Sequence, residues 1–321
     1  TSGIILGTTL PSYFNLHFGW SISFVSAAIG ILIGVFTFAF GIHRYQIADY
    51  HPYQFDLNKN IQATLMVATL WGSAWFIMMS PKFANSIFCL VVILSLSYIL
   101  FCIYKEQKKQ AKKTAVILLL CVISAMFWTF YFQMFLSLTL FISRVVQPTI
   151  FGLLFPPPYY VAIQSIGMII IGVFLARDKV DRPQYQKTIR AGNKFLLSMV
   201  VMTLAYALIV LVSHVSLQSD QLLSPLWIIP AYLLISLAEL LLSPVGLLAN
   251  RKHVSTMMGI FFVSLGTGGF LSGKLASLTA LPLGELSRLQ IKLHYAEAFT
   301  KIFWILLGLT ISSIFLNIAI R

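Results

Sequence analysis

Runs of roughly 20 apolar residues recur from one end of this chain to the other, and nothing else constrains its fold so strongly. A bilayer offers backbone groups no hydrogen-bond partners, so a spanning segment must be a helix or part of a closed barrel. Barrel strands are about 10 residues long and alternate in polarity; these runs are long and continuous. The expected fold class is therefore an all-α integral membrane protein. Charged residues make up 10% of the chain, against about 25% in a soluble domain, which excludes a soluble body on a single anchor.

The runs divide into ten expected segments: Thr1–Leu16, Ser21–Ile42, Ile61–Ser80, Phe83–Tyr104, Thr114–Ile142, Tyr159–Ala176, Phe195–His214, Leu226–Ala249, Val254–Leu278 and Ala298–Ile320. The first is short and interrupted by Gly3, Gly7 and Pro11, and it lacks the basic start and cleavage pattern of a signal peptide. It is read as the tail of a helix that begins upstream. The mixed segment Leu286–Phe299 is expected to lie along the membrane surface.

The net charge of +13 is gathered into a few short connections. Lys105–Lys113 is one, Arg177–Lys194 a second, and Arg251 with Lys252 a third. Placing all three on the cytoplasmic side leaves the connections 15–20 and 215–225, which carry no Lys or Arg, on the other side. The carboxy terminus is then cytoplasmic. Basic residues that flank spans read as topology signals with contacts to membrane lipid, and no nucleic-acid surface is expected.

Glu239 is the only acid lying deep inside an apolar run, Ile228–Leu248. A carboxylate at membrane depth costs a few kcal/mol on insertion scales and marks a substrate or proton pathway by default. Ser243 and Gly246 follow at i+4 and i+7 on the same helical face. Pro244 between them frees the carbonyl of Leu240, so a kinked, gating helix is expected with an acid one turn before the kink. A second polar face carries Tyr131, Gln133, Ser137 and Thr139, and Gln164 with Ser165 interrupts the following run. These side chains suit either a cavity lining or helix–helix hydrogen bonds. Gly269 and Gly273, like Gly30 and Gly34, form small-residue faces that permit close helix contact.

Cys89, Cys102 and Cys121 lie in apolar runs, and neither they nor the histidines show metal-ligand spacing. No nucleophile motif or phosphate-binding loop occurs. No cofactor, metal site or catalytic residue is expected, and the chain is not read as an enzyme.

The stretch Glu239-Leu-Leu-Leu-Ser243-Pro244-Val-Gly246-Leu, followed by Met257-Met258-Gly259 and Leu271-Ser-Gly273, closely resembles the proton-dependent oligopeptide transporters of the major facilitator superfamily. Phe127-Trp128-Thr-Phe-Tyr131-Phe-Gln133-Met134, running on to Arg144, is similar to that family's seventh helix. Phe18-Gly19-Trp20 and the glycine-rich run after it are similar to the region between its fifth and sixth. The resemblance implies a partial major facilitator fold, from the end of the fifth helix through the twelfth with an inserted helix pair. Residues 1–42 would close the amino-terminal bundle, 43–113 would form the linker and inserted pair, and 114–321 the carboxy-terminal bundle.

It further implies a proton-coupled importer of di- and tripeptides in a bacterial inner membrane, working by alternating access. Glu239 would hold the peptide amino terminus and take part in proton coupling. Ser243, Gln164, Tyr131, Gln133 and Phe261 would line the substrate site, and Pro244, Gly246, Gly269 and Gly273 would serve gating and packing. Two positions depart from the family: Phe132 stands where many members have a coupling Glu, and Phe261 where many have Trp. The first-helix ExxERF motif is not present, so transport would require the amino-terminal bundle. Other readings are an importer of another peptide-like solute and a truncated, non-transporting membrane subunit.

Overall fold

The computed structural model describes residues 2–45, 57–105, 108–176, 184–242, 254–282 and 284–320. The described residues form helices α1 (Ser2–Phe18), α2 (Trp20–Tyr45), α3 (Leu57–Met79), α4 (Pro81–Lys105), α5 (Lys108–Tyr131), α6 (Ser137–Val145), α7 (Pro158–Ala176), α8 (Gln184–Val215), α9 (Ile229–Leu241), α10 (Val254–Ala276) and α11 (Arg288–Ile320). Seven of the helical stretches are long and apolar enough to cross a membrane, and Pro158–Phe174 and Pro225–Leu241 are shorter apolar helices. Two basic connections are shorter than expected. The backbone is already helical from Lys108 and from Gln184, so much of each basic stretch extends a helix.

The chain divides into two compact units. One comprises Tyr13–Leu96. Within it, Gly19 ends α1 in the left-handed region (φ 85°), a conformation glycine adopts without penalty. Its amide donates to the Asn15 carbonyl at 3.1 Å. α3 and α4 form a hairpin closed by the edge-on pair Phe76 and Phe83, 5.2 Å apart. Apart from Ser23, the residues of this unit whose burial is described are exposed or half-buried, as suits helices with apolar surfaces all round.

The other unit, Thr1–Ser12 with Ser97–Arg321, holds the main core. Phe127, Phe130, Phe141, Phe195, Tyr206, Tyr232, Tyr295 and Phe299 are fully buried there. α10 packs on α5, α9 on α7 and α8, and α11 on α8. The closest approach of α5 and α10 falls at Gly268, where a Cβ would lie 2.4 Å from that of Trp128 and 2.9 Å from the Ala125 carbonyl oxygen. Gly269 and Gly273 do not sit at this closest approach. A Cβ on Gly269 would make only ordinary contact with the Phe132 ring at 3.6 Å, and one on Gly273, like those on Gly30 and Gly34, meets nothing within 4 Å.

The expected fifth span is broken. α5 ends at Tyr131, a 3-10 turn covers Phe132–Met134, and α6 restarts at Ser137. No glycine or proline causes the break, so tertiary partners must take up the freed carbonyls. Tyr206 of α8 donates to the Phe130 carbonyl at 2.8 Å, Tyr232 of α9 to that of Met134 at 3.4 Å, and Thr139 to the same oxygen at 2.8 Å.

The last helix departs from expectation in the opposite sense. Leu286–Phe299 is not a separate surface segment, because α11 runs unbroken for 33 residues, about 50 Å at 1.5 Å per residue. Ser287 and Gln290 form a capping box at its start, with Gln290 N–H donating to Ser287 Oγ at 3.2 Å and Ser287 N–H to Gln290 Oε1 at 2.9 Å. Buried Lys292 then donates to the carbonyls of Ser219 and Gln221, and Arg144 donates to the Tyr295 hydroxyl at 2.7 Å.

Candidate functional site

Glu239 sits in the last turn of α9 and is partly buried. The seam between α7 and α9 fixes what it meets. Gly167 removes the side chain where the helices are closest; a Cβ there would lie 2.8 Å from Ser236 Oγ and 2.9 Å from Leu233. Ser236, one turn before Glu239, then donates its single hydrogen between the Tyr232 carbonyl (2.9 Å) and the Gln164 carbonyl (2.7 Å). That bond anchors the backbone of α7 at Gln164, whose Nε2 donates to Glu239 Oε2 at 2.6 Å. A short bond of this kind is charge-assisted when the acceptor is a carboxylate.

The hydroxyl of Tyr131, at the end of α5, interacts with the same carboxylate. Its ring is held edge-on by Trp128 at 4.9 Å and Phe135 at 6.2 Å, and stacks on Phe127 at 6.0 Å. The break after Tyr131 therefore delivers one hydroxyl to an acid on α9, four helices later in the chain. The indole N–H of Trp128, beside that ring, is buried without a partner among the described residues. An ionised carboxylate has about four acceptor sites. Gln164 occupies part of that capacity, with the Tyr131 hydroxyl beside it, and the rest is left for a cation or a proton.

Of the residues singled out from sequence, the structure thus brings Glu239, Gln164 and Tyr131 together. Gln133 belongs to a different network. Fully buried, it donates through Nε2 to the Ser272 carbonyl at 2.8 Å and accepts from Ser137 Oγ at 2.6 Å. Ser137 in turn meets Thr279 at 2.8 Å. These bonds tie the broken α5–α6 helix to α10 and use the amide at both ends. Phe261 is buried on α10 beside Phe262, with ring centroids 6.2 Å apart. Ser243, Pro244 and Gly246 lie outside the described residues; α9 leaves regular helix at Leu242, two residues ahead of the proline. Ser236 and Gly167 went unnoticed in the sequence, although each lies three residues from a polar residue that was noticed. No group of three or more His, Cys, Asp or Glu residues suited to a metal occurs among the described residues.

The sequence profile of the POT family matches residues 2–291. The chain belongs to the POT family. Among curated relatives it is 27% identical over 306 residues to dipeptide and tripeptide permease A of Edwardsiella piscicida, covering 89% of this chain and 59% of that protein. It is 24% identical over 312 residues to dipeptide and tripeptide permease B of Yersinia enterocolitica, covering 94% and 62%. The chain thus spans about three fifths of the length of these POT relatives. Among solved structures, a bacterial homologue of the human drug peptide transporters PepT1 and PepT2 superposes with a TM-score of 0.75 at 22% identity, covering 99% of this chain and 67% of that one. A structure from work on substrate recognition in proton dependent oligopeptide transporters gives 0.74 at 22% identity, covering 99% and 66%. The POT fold, of the major facilitator type, is thereby shared.

Proposed function

We propose that this chain contributes the amino-terminus-binding half of the substrate site in a proton-coupled importer of di- and tripeptides, acting by alternating access in a bacterial inner membrane with its carboxy terminus in the cytoplasm. The observation that carries this reading is the partly buried Glu239 carboxylate held between Gln164 and Tyr131. The peptide ammonium binds the open lone pairs of Glu239. At about 4 Å and an effective dielectric near 20 the attraction is about 4 kcal/mol, and in bulk water it would be about 1 kcal/mol. Gln164 and Tyr131 keep the carboxylate oriented, so little reorganisation accompanies binding. Phe261, and Ser243 by its spacing from Glu239 in the sequence, are assigned to peptide side-chain contact, and the Trp128 N–H is a donor available to a peptide carbonyl.

Proton coupling follows from competition for one charge. Glu239 is neutralised either by the ammonium or by a proton, and an unpaired carboxylate at that depth is the costly state. The helix therefore reorients with one or the other bound. Phe132 is apolar and lies near Gly269, which leaves Glu239 as the coupling acid in this part of the protein. Gln133, Gly268 and Gly269 serve the α5–α10 seam, while Pro244, Gly246 and Gly273 give the gating helices their freedom to bend. Full transport needs the further helices that longer family members contribute, since a site between two bundles requires both.

The test is uptake of dialanine by the full-length protein in proteoliposomes under an inward proton gradient. Uptake that depends on the gradient and is abolished in Glu239→Gln supports the reading. Wild-type uptake by Glu239→Gln, or no di- or tripeptide uptake at all, overturns it.

A further inference from the structure

The connection between α6 and α7 is a β-hairpin: β1 (Thr149–Ile150) pairs antiparallel with β2 (Leu153–Leu154) around the two-residue turn Phe151-Gly152. Both turn residues have positive φ, 50° at Phe151 and 82° at Gly152. A turn of this kind is ordinarily made by Asn-Gly, Asp-Gly or Gly-Gly, and a bulky aromatic at positive φ is an outlier. Phe151 therefore occupies its position at a backbone cost, and the rest of the protein gains nothing visible from it. Its side chain is 89% exposed and stands outside the core cluster, with Leu153 71% and Leu154 54% exposed beside it.

We propose that this hairpin is a lipid-binding anchor whose tip, Phe151 with Leu153 and Leu154, inserts into the interface of the phospholipid bilayer. Its location fits that occupant. The hairpin joins the ends of two apolar helices, so it lies where a helix leaves the hydrocarbon. Residues 145–157 carry no charged side chain. Its base is fixed by Phe155 N–H donating to the Pro148 carbonyl at 2.7 Å and by the edge-on pair Phe155 and Tyr160 at 4.9 Å, so the tip is presented at a set depth. The bridge between Val146 and Leu223 brings a second exposed apolar pair, Leu226 and Trp227, to the same end of the unit. Arg144, one residue before the end of α6, supplies a cation of the kind that meets headgroup phosphates. An aromatic tip, a neighbouring Trp and an adjacent Arg together match a bilayer interface and suit neither water nor a protein core. The inference does not depend on what is transported.

The experiment uses the full-length protein in nanodiscs of phosphatidylethanolamine and phosphatidylglycerol, with Cys89, Cys102 and Cys121 replaced by Ala. A spin label is placed at Phe151→Cys and, as a water-exposed control, at Asp220→Cys. Position 151 should collide preferentially with dissolved oxygen, and position 220 with a water-soluble nickel chelate. Nickel accessibility at 151 equal to that at 220 would overturn the proposal, and so would shielding from both reagents, which would mean that protein covers the tip. Because the label replaces the ring, Phe151→Asn serves as an independent variant. Asn suits the turn better than Phe, yet amide exchange across Thr149–Leu154 in nanodiscs should speed up by about tenfold when the inserted ring is lost. Exchange as slow as wild type, or slower, would show that the ring anchors nothing.

Discussion

The α5–α10 and α7–α9 seams use the same parts to different ends. Each has a glycine at the closest approach (Gly268, Gly167), a glutamine on the earlier side (Gln133 in the turn after α5, Gln164 on α7) and a serine on the later helix (Ser272, Ser236). In the first, the glutamine is buried and its amide is satisfied at both ends by neutral neighbours. In the second, the amide reaches a partly buried carboxylate that keeps unused acceptor sites. A closed polar circuit fastens helices, and a circuit left open at an acid has capacity for a ligand. The difference lies in the acid and its access, since the glutamines are chemically alike.

The strongest way to break this contrast is Glu239→Gln. The variant keeps hydrogen-bonding groups facing Gln164 and loses the charge, so its melting temperature should stay near wild type. Uptake should fall by at least about 30-fold, since removing one member of a desolvated charge pair costs about 2–5 kcal/mol. An unchanged uptake rate would make the two seams functionally equivalent.

The next largest effect is on stability. Gly268→Ala should cost about 1–3 kcal/mol, because its Cβ meets the Ala125 carbonyl and the Trp128 Cβ, neither of which can swing away. Gly273→Ala should be neutral or slightly stabilising, from better helix propensity by up to about 1 kcal/mol. Thermal unfolding in detergent compares them, and equal melting temperatures would contradict the assigned seam.

The paired glutamine variants sharpen the comparison directly. Gln133→Leu should lower stability by about 1 kcal/mol through loss of its bonds to Ser272 and Ser137 while leaving KM unchanged. Gln164→Leu should raise KM about tenfold, or about 1.4 kcal/mol, by releasing the carboxylate. The reverse pattern would exchange the roles of the seams. The smallest effect is expected from Tyr131→Phe, a loss of one hydroxyl worth about 0.6 kcal/mol, or about threefold in KM.

Much of this was legible in advance because membrane burial imposes simple rules. Each segment expected from the apolar runs has a helical counterpart, although residues 243–249 of Leu226–Ala249 lie outside the described residues. The break in α5–α6 was not legible, because the residues there are ordinary helix formers and their freed carbonyls are satisfied by tyrosines about 75 and 100 residues downstream. Gly268 was equally hidden, since a glycine's importance depends on which face of its helix meets a neighbour. The continuous α11 was missed because its early charges resembled a surface segment, whereas Lys292 and Arg144 find partners on other elements.

The sequence alone determined the all-helical membrane class, the approximate spans and Glu239 as the residue needing a function, because each follows from the cost of placing polar groups in hydrocarbon. Tertiary structure alone decided which glutamine meets that acid, which glycine admits a neighbouring helix and where a helix breaks. Those outcomes depend on distances between segments far apart in the chain, and no local pattern records them.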